Sequence, residues 1–201
     1  LLKITLLFCV LFVFLFIGIF IYSRYEYKTI DFLLNAKLKE KKVLVDRIID
    51  LEGRPSDTFA FDYTYWDEMV NFVVTGDKQW ANDNIDVVLK TFNVNYVWVY
   101  NTNLKLTYSV DDKGNKAPVE LFLSKSELNE LFNKKRFNHF FIAIKDGIFE
   151  INTAPIQITK DIKRTSVPKG YFIAGKLWTK DVLAEISELT ECDITMQTAE
   201  S

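Results

Sequence analysis

From Ile4 to Ser23 the chain carries no charged side chain, and about 20 helical residues rising 1.5 Å each match a hydrocarbon core of roughly 30 Å. The pattern predicts a membrane-spanning anchor helix over residues 1–24. A cleaved signal peptide would have a shorter apolar region ending in small residues, whereas this run leaves through Ile21-Tyr22-Ser23-Arg24-Tyr25, so the anchor is expected to stay attached. Beyond it Ile30, Leu34, Leu38, Val45, Ile48 and Ile49 recur at helical spacing, opposed by Lys39, Glu40, Lys41, Lys42 and Asp46. This predicts a long amphipathic helix over residues 25–54, continuous with the anchor and ending at Gly53-Arg54-Pro55. Its apolar stripe near the membrane is placed to pair with a second copy of the chain.

Ser56-Asp57 then offers an N-cap for a helix carrying Phe59, Tyr63, Trp66, Val70 and Val73 as far as Gly76. A further short helix is expected to hold Trp80, Asn84, Val88 and Leu89. The period now falls to two: Val94, Tyr96, Trp98 and Tyr100 alternate with Asn95, Val97 and Val99 as an inner strand, and Leu104 to Val110 follows as its hairpin partner. Asp111 to Asn115 reads as an exposed turn. Ser124 and Glu127 have capping-box spacing ahead of Leu128, Leu131 and Phe132. Strands are expected at 140–144, from Ile148 to Ile156 after the Asp146-Gly147 turn signal, and at 170–178. Thr179 or Asp181 should cap a last helix through Leu189, with 193–196 as an edge strand. The fold class is α+β: the membrane helix continues into the long helix, and further helices lie on an antiparallel sheet of about five or six strands.

Lys and Arg number 25 against 27 Asp and Glu, for a net charge of −2. Both signs are mixed along the chain, so no basic face is available to bind nucleic acid. Cys9 lies in the apolar leader and Cys192 near the C-terminus, which leaves no internal disulfide to expect. One histidine, His139, leaves a zinc site without its usual ligands. No Gly-x-Ser-x-Gly elbow occurs, and the 7 glycines form no phosphate loop. His139, between Asn138 and Phe140-Phe141, reads as a structural histidine. Asp62 and Asp67, five residues apart on a helix, point in different directions and do not form a carboxylate pair. Catalysis and cofactors are not expected of this fragment.

The segment Asp62-Tyr63-Thr64-Tyr65-Trp66-Asp67, then Trp80, Asn84 and Val97-Trp98-Val99-Tyr100, resembles the CHASE4 family of extracytoplasmic sensor domains. Gly147 to Ile151, Ala154-Pro155-Ile156 and Gly170 to Gly175 fit the family's second half, so the resemblance runs over roughly residues 29–198. It implies a PAS-like or Cache-like sheet, a sensor domain over residues 55–198, and a second membrane helix soon after a linker beginning at 199–201. It also implies a cytoplasmic output module such as a histidine kinase, a diguanylate cyclase or phosphodiesterase, or a chemotaxis signalling domain. Lys3 before the span and Arg24 and Lys28 after it do not fix the orientation; the resemblance places the domain outside the cell, on the inner or plasma membrane. A membrane-tethered enzyme and a partner-binding structural domain stay open as alternatives.

The expected ligand is a small molecule, polar or cationic. On a continuous helix Asp62 and Trp66 share one line and Tyr63 and Asp67 the next, pairing acceptors with rings. Tyr96, Trp98 and Tyr100 would form the opposing wall. An equal reading has the Asp62-to-Asp67 segment latch the helix to a neighbouring loop, its acids capping backbone amides.

Overall fold

In the computed structural model, which describes residues 2–115, 123–144 and 147–195 and side chains from Leu11 onward, α1 runs unbroken over Leu2–Tyr63. The chain divides into two compact units, Leu1–Asp46 and Arg47–Ser201. In the first, Ile30, Leu34 and Leu38 are all exposed. Among the described residues no helix is long and apolar enough to cross a membrane; the expected span draws on residues 4–10, whose side chains lie outside the described residues.

Among the described residues the second unit holds an antiparallel sheet of five strands: β1 (Tyr96–Asn101), β2 (Leu106–Asp111), β3 (Asn138–Ile144), β4 (Gly147–Ile156) and β5 (Gly170–Trp178). Their order across the sheet is β2-β1-β5-β4-β3, with Trp98 opposite Ile173 and Glu150 opposite Lys176. The helices are α2 (Asp67–Thr75), α3 (Lys78–Asn84), α4 (Lys125–Lys134) and α5 (Lys180–Thr190), with a short 3-10 turn at Asp86–Val88.

At Gly76, Ser124 and Thr179 the helix termini follow the sequence signals. Gly76 closes α2 in the left-handed region, at φ 63°, its N–H donating to the Phe72 carbonyl. Ser124 and Glu127 form the full capping box, and Thr179, not Asp181, caps α5. Asp77, not singled out in the sequence, caps α3, its side chain accepting from the amides of Gln79 and Trp80.

Gly53-Arg54-Pro55 does not end α1, contrary to the sequence expectation. Proline removes one helical hydrogen bond and costs about 3 kcal/mol in a helix interior, but contacts with the sheet hold the helix through it. Ser56 is not an N-cap: its hydroxyl donates to the Gly53 carbonyl at 3.0 Å and accepts from Asn152 Nδ2 on β4 at 2.7 Å. The break comes later, at Thr64 to Trp66, where the Gln157 N–H just after β4 donates to the Thr64 carbonyl at 2.9 Å and Trp66 is extended, at φ −127° and ψ 137°.

Three smaller expectations also change. Residues 193–195 form no strand, and Met196 lies outside the described residues, as does Asp146. The helix expected through Leu89 ends at Asn84. Asp111 is not a solvated turn residue: it ends β2, is buried, and its carboxylate accepts from the Lys113 and Asn115 amides and from Asn115 Nδ2. Burial pushes its carboxyl up, but the Asn115 and Lys113 hydrogen bonds outweigh this and hold it below its ordinary value.

Alternation along the strands separates two cores. Val97 and Val99 of β1, Phe172 and Ala174 of β5 and Ala154 and Ile156 of β4 pack with Phe59 and Ala60 of α1 and Met69 and Phe72 of α2. Trp98, Tyr100, Phe149, Ile151 and Ile173 point to the other face, where Leu128 of α4 covers them.

Candidate functional site

The seven residues singled out in the sequence fall into two groups that the structure keeps apart. Tyr63 and Trp66 belong to the α1 side of the sheet, packed against its core. Tyr96, Trp98 and Tyr100 point to the α4 side. The wall expected to face the Asp62-to-Asp67 segment is therefore on the opposite face, because odd and even residues of β1 alternate across the pleat. The helix lines fail for a second reason. α1 ends at Tyr63 and α2 begins at Asp67, so the segment is a corner and not one helix.

At that corner the rings of Tyr63 and Trp66 lie 4.6 Å apart, and Phe59 stands 4.5 Å from Tyr63. Burial, and then the Asp62 charge, raise the Tyr63 hydroxyl above its ordinary pKa. Asp62 itself is exposed on the last turn of α1. Asp67 Oδ1 accepts from the Thr159 N–H at 3.0 Å, a contact that ties the start of α2 to the loop between β4 and β5.

The same loop supplies Arg164, which no sequence signal marked. Its buried guanidinium donates to the carbonyls of Phe61 and Pro155, to Thr64 Oγ1 and to Gln157 Oε1, at 2.7 to 3.1 Å. The rings of Phe61, Tyr65 and Phe137 surround it at 5.1 to 5.2 Å. Phe61 is in the last turn of α1, whose carbonyls have no partner within the helix, so Arg164 caps that end and ties it to the sheet. Burial pulls the guanidinium below its ordinary pKa, against the opposing pull of Tyr65, Asp161 and Asp62. Its backbone sits at φ 53°, a left-handed conformation that a non-glycine residue keeps only where its surroundings hold it.

On the other face, Tyr96 and Trp98 lie stacked with centroids 5.7 Å apart, and Phe149 meets Tyr96 edge-on at 5.2 Å. Phe132 of α4 stacks on Tyr171 at 4.0 Å. Burial, then Asp111 and Asp112, raise the Tyr96 hydroxyl above its ordinary pKa. This face is mainly aromatic and aliphatic, whereas the α1 face carries His139, Glu150, Asn152 and Lys176, the last three buried.

A family model for the CHASE4 domain matches residues 48–197. The chain belongs to the CHASE4 domain family. The extracellular domain of the putative histidine kinase vpHK1S-Z8 has the same fold, with TM-score 0.54 and 9% identity over 77% of this chain and 60% of that one. This CHASE4 chain thus spans less than two thirds of that domain. The periplasmic domain of Vibrio cholerae LuxQ aligns with TM-score 0.49 and 12% identity, over 76% of this chain and 70% of that one. The isoleucine-bound sensory domain of the Campylobacter jejuni chemoreceptor Tlp3 aligns at 0.42 and 10%, over 75% and 59%. No curated protein sequence matches.

Proposed function

We propose that this CHASE4 chain is the extracytoplasmic ligand-sensing region of a membrane-bound receptor. In this reading residues 1–24 anchor it, and α1 carries the signal toward a cytoplasmic kinase, cyclase, phosphodiesterase or chemotaxis output. The observation that carries the reading is one helix, uncharged from Ile4 to Ser23, that continues without a break to Tyr63 and ends buried against the sensor sheet. A helix shared in this way lets a change in the sheet bias a two-state output.

The ligand contact is assigned to the Tyr96, Trp98 and Tyr100 face. The corner from Asp62 to Asp67 is assigned to the latch, supported by the Asp67 bond to Thr159 and the Arg164 cap. Small metabolites screened by thermal shift on the intact chain test both assignments. A compound that stabilises the wild type should lose its effect on Trp98→Leu and keep it on Asp67→Asn. Asp67→Asn itself should melt lower, by about 1 kcal/mol of lost stability. A ligand shift abolished by Asp67→Asn and kept by Trp98→Leu would reverse the assignment.

A further inference from the structure

The sheet has β2 at one edge and β3 at the other, and the two edges differ. β2 is broken by a register shift opposite Val99 and Tyr100, and its Tyr108 hydroxyl is tied to Asp86 at 2.6 Å. Irregularities of this kind blunt an edge. β3 pairs with β4 residue for residue from Asn138 to Ile144 and carries no bulge, proline, lysine or carboxylate. A regular edge strand without these devices is a template for another strand.

The alternation of the ladder decides which backbone groups β3 leaves over. In an antiparallel sheet, alternate residues of a strand bond to the neighbour on one side and the rest to the neighbour on the other. The Asn101 N–H donates to the Lys105 carbonyl at 3.0 Å, so the odd residues of β1 bond to β2 and the even ones to β5. Carried through the pairs Trp98 with Ile173, Phe172 with Ala154, and Ile151 with Phe140, the alternation spends the even residues of β3 on β4. The hairpin agrees: Ile144 and Gly147 are paired across a two-residue connection, which closes on a hydrogen-bonded pair. The N–H and C=O groups of His139, Phe141 and Ala143 are therefore aimed outward, and among the described residues they have no backbone partner there.

Phe141 is paired with Glu150 and shares its face, the one on which Gly53 of α1 touches Glu150. α1 runs alongside over β4 and β5, where Ser56 meets Asn152 and Lys176 Nζ donates to Glu52 Oε2 at 2.8 Å. The rings of Phe61, Phe137 and Phe141 stand 49%, 37% and 48% exposed on this side. Phe61 lies 5.4 Å from Phe137, and Phe141 lies 5.3 Å from the His139 ring.

We propose that the β3 edge and this aromatic strip bind an extended polypeptide segment of another protein, which adds to the sheet as a further strand. The backbone fixes the class of ligand. Outward groups recur at every second residue of β3, and an extended polypeptide presents donors and acceptors at the same repeat. The rings fix its side chains: those directed toward α1 are apolar and uncharged, because Phe61, Phe137 and Phe141 offer area and no charge. A second copy of this chain fits poorly. Antiparallel pairing of two β3 strands has its two-fold axis normal to the sheet, and this sets the two α1 helices antiparallel, against the parallel pairing of the receptor reading. Only this exclusion rests on that reading.

Amide exchange of the intact chain in lipid nanodiscs, read by NMR, tests the proposal with a capped heptapeptide of alternating valine and threonine. In the free chain the amides of His139, Phe141 and Ala143 should exchange rapidly and those of Phe140 and Ile142 slowly. Peptide at about millimolar concentration should slow the first set about ten-fold and leave the second unchanged. The same peptide methylated on alternate backbone nitrogens should have no effect. Phe141→Pro removes one outward N–H without touching the β4 ladder and should abolish the binding. Should that variant fail to fold, Phe141→Lys keeps the backbone, places a charge among the rings and should weaken binding about ten-fold. Outward amides that the peptide leaves unchanged overturn the proposal, as does equal slowing of both sets. Outward amides already protected without peptide overturn it too: protection that rises with chain concentration gives the edge to a second copy, and constant protection gives it to the chain's own residues.

Discussion

Gly53 stands in a helix interior, where alanine is favoured by about 1 kcal/mol. A Cβ there would run into Glu150 Oε1 and come within 3.2 Å of its Cδ. The carboxylate cannot swing aside freely, because His139 and Trp178 hold its two oxygens. Overpacking of this kind costs about 1 to 3 kcal/mol, so the collision outweighs the helix preference, and Gly53→Ala should destabilise the fold by about 1 kcal/mol net. Urea unfolding checks this; a variant as stable as the wild type would show that Glu150 moves out of the way. In the sequence, Gly53 beside Pro55 looks like a helix stop, since a glycine that makes room for a distant carboxylate is written with the same letter as one that ends a helix. Glu150 and Lys176 are visible there as single charges in apolar strands, which could have marked them. Their partners on α1 lie about a hundred positions away and are not legible from local pattern.

The loop between β4 and β5 is built around one carboxylate. Asp161 accepts from the Ser166 hydroxyl at 2.6 Å and amide at 2.7 Å, from the Thr165 amide at 3.1 Å and from Gln157 Nε2 at 2.9 Å. The Ser166 hydroxyl bond first, and then the backbone bonds and the Arg136 charge, hold its carboxyl below the ordinary value. A depressed carboxyl contributes stability above its unfolded pKa, about 3.9, and that stability is lost as pH falls through the folded value. The Ser166 amide resonance should therefore move on acidification from pH 5 to 2.5, and Asp161→Asn should show the acid-like position already at pH 7. An amide signal constant across that range would contradict this. Because the loop presents Arg164 and Thr159 to the end of α1, its loosening should also expose that corner. Caps were the legible part at this scale: Ser124, Glu127 and Thr179 act within one turn of chain, so local sequence is enough to specify them. The true end of α1 was not legible, because Arg164 decides it from across the fold.

At the scale of the whole molecule, Ile30, Leu34 and Leu38 form an exposed stripe on α1, and the receptor reading assigns it to a second copy in parallel. A cysteine scan over residues 30–45 in membranes should give cross-linking maxima every three to four residues, centred on these positions; a yield without that period would remove the pairing. By itself the sequence determined the uncharged N-terminal helix, the antiparallel strands with their period of two, and family membership through the Asp62-to-Asp67 segment. Each is carried by residues close together in the chain, where spacing alone selects helix or strand. Only the tertiary structure decided which face each candidate residue serves. It put Tyr63 and Trp66 on the α1 side of the sheet and Trp98 and Tyr100 on the other, and it set Lys176 of β5 against Glu52 of α1 and His139 of β3 against Glu150 of β4. The physical reason is the sheet order: β5 inserts between β1 and β4, and that long-range pairing brings together side chains that no local period relates.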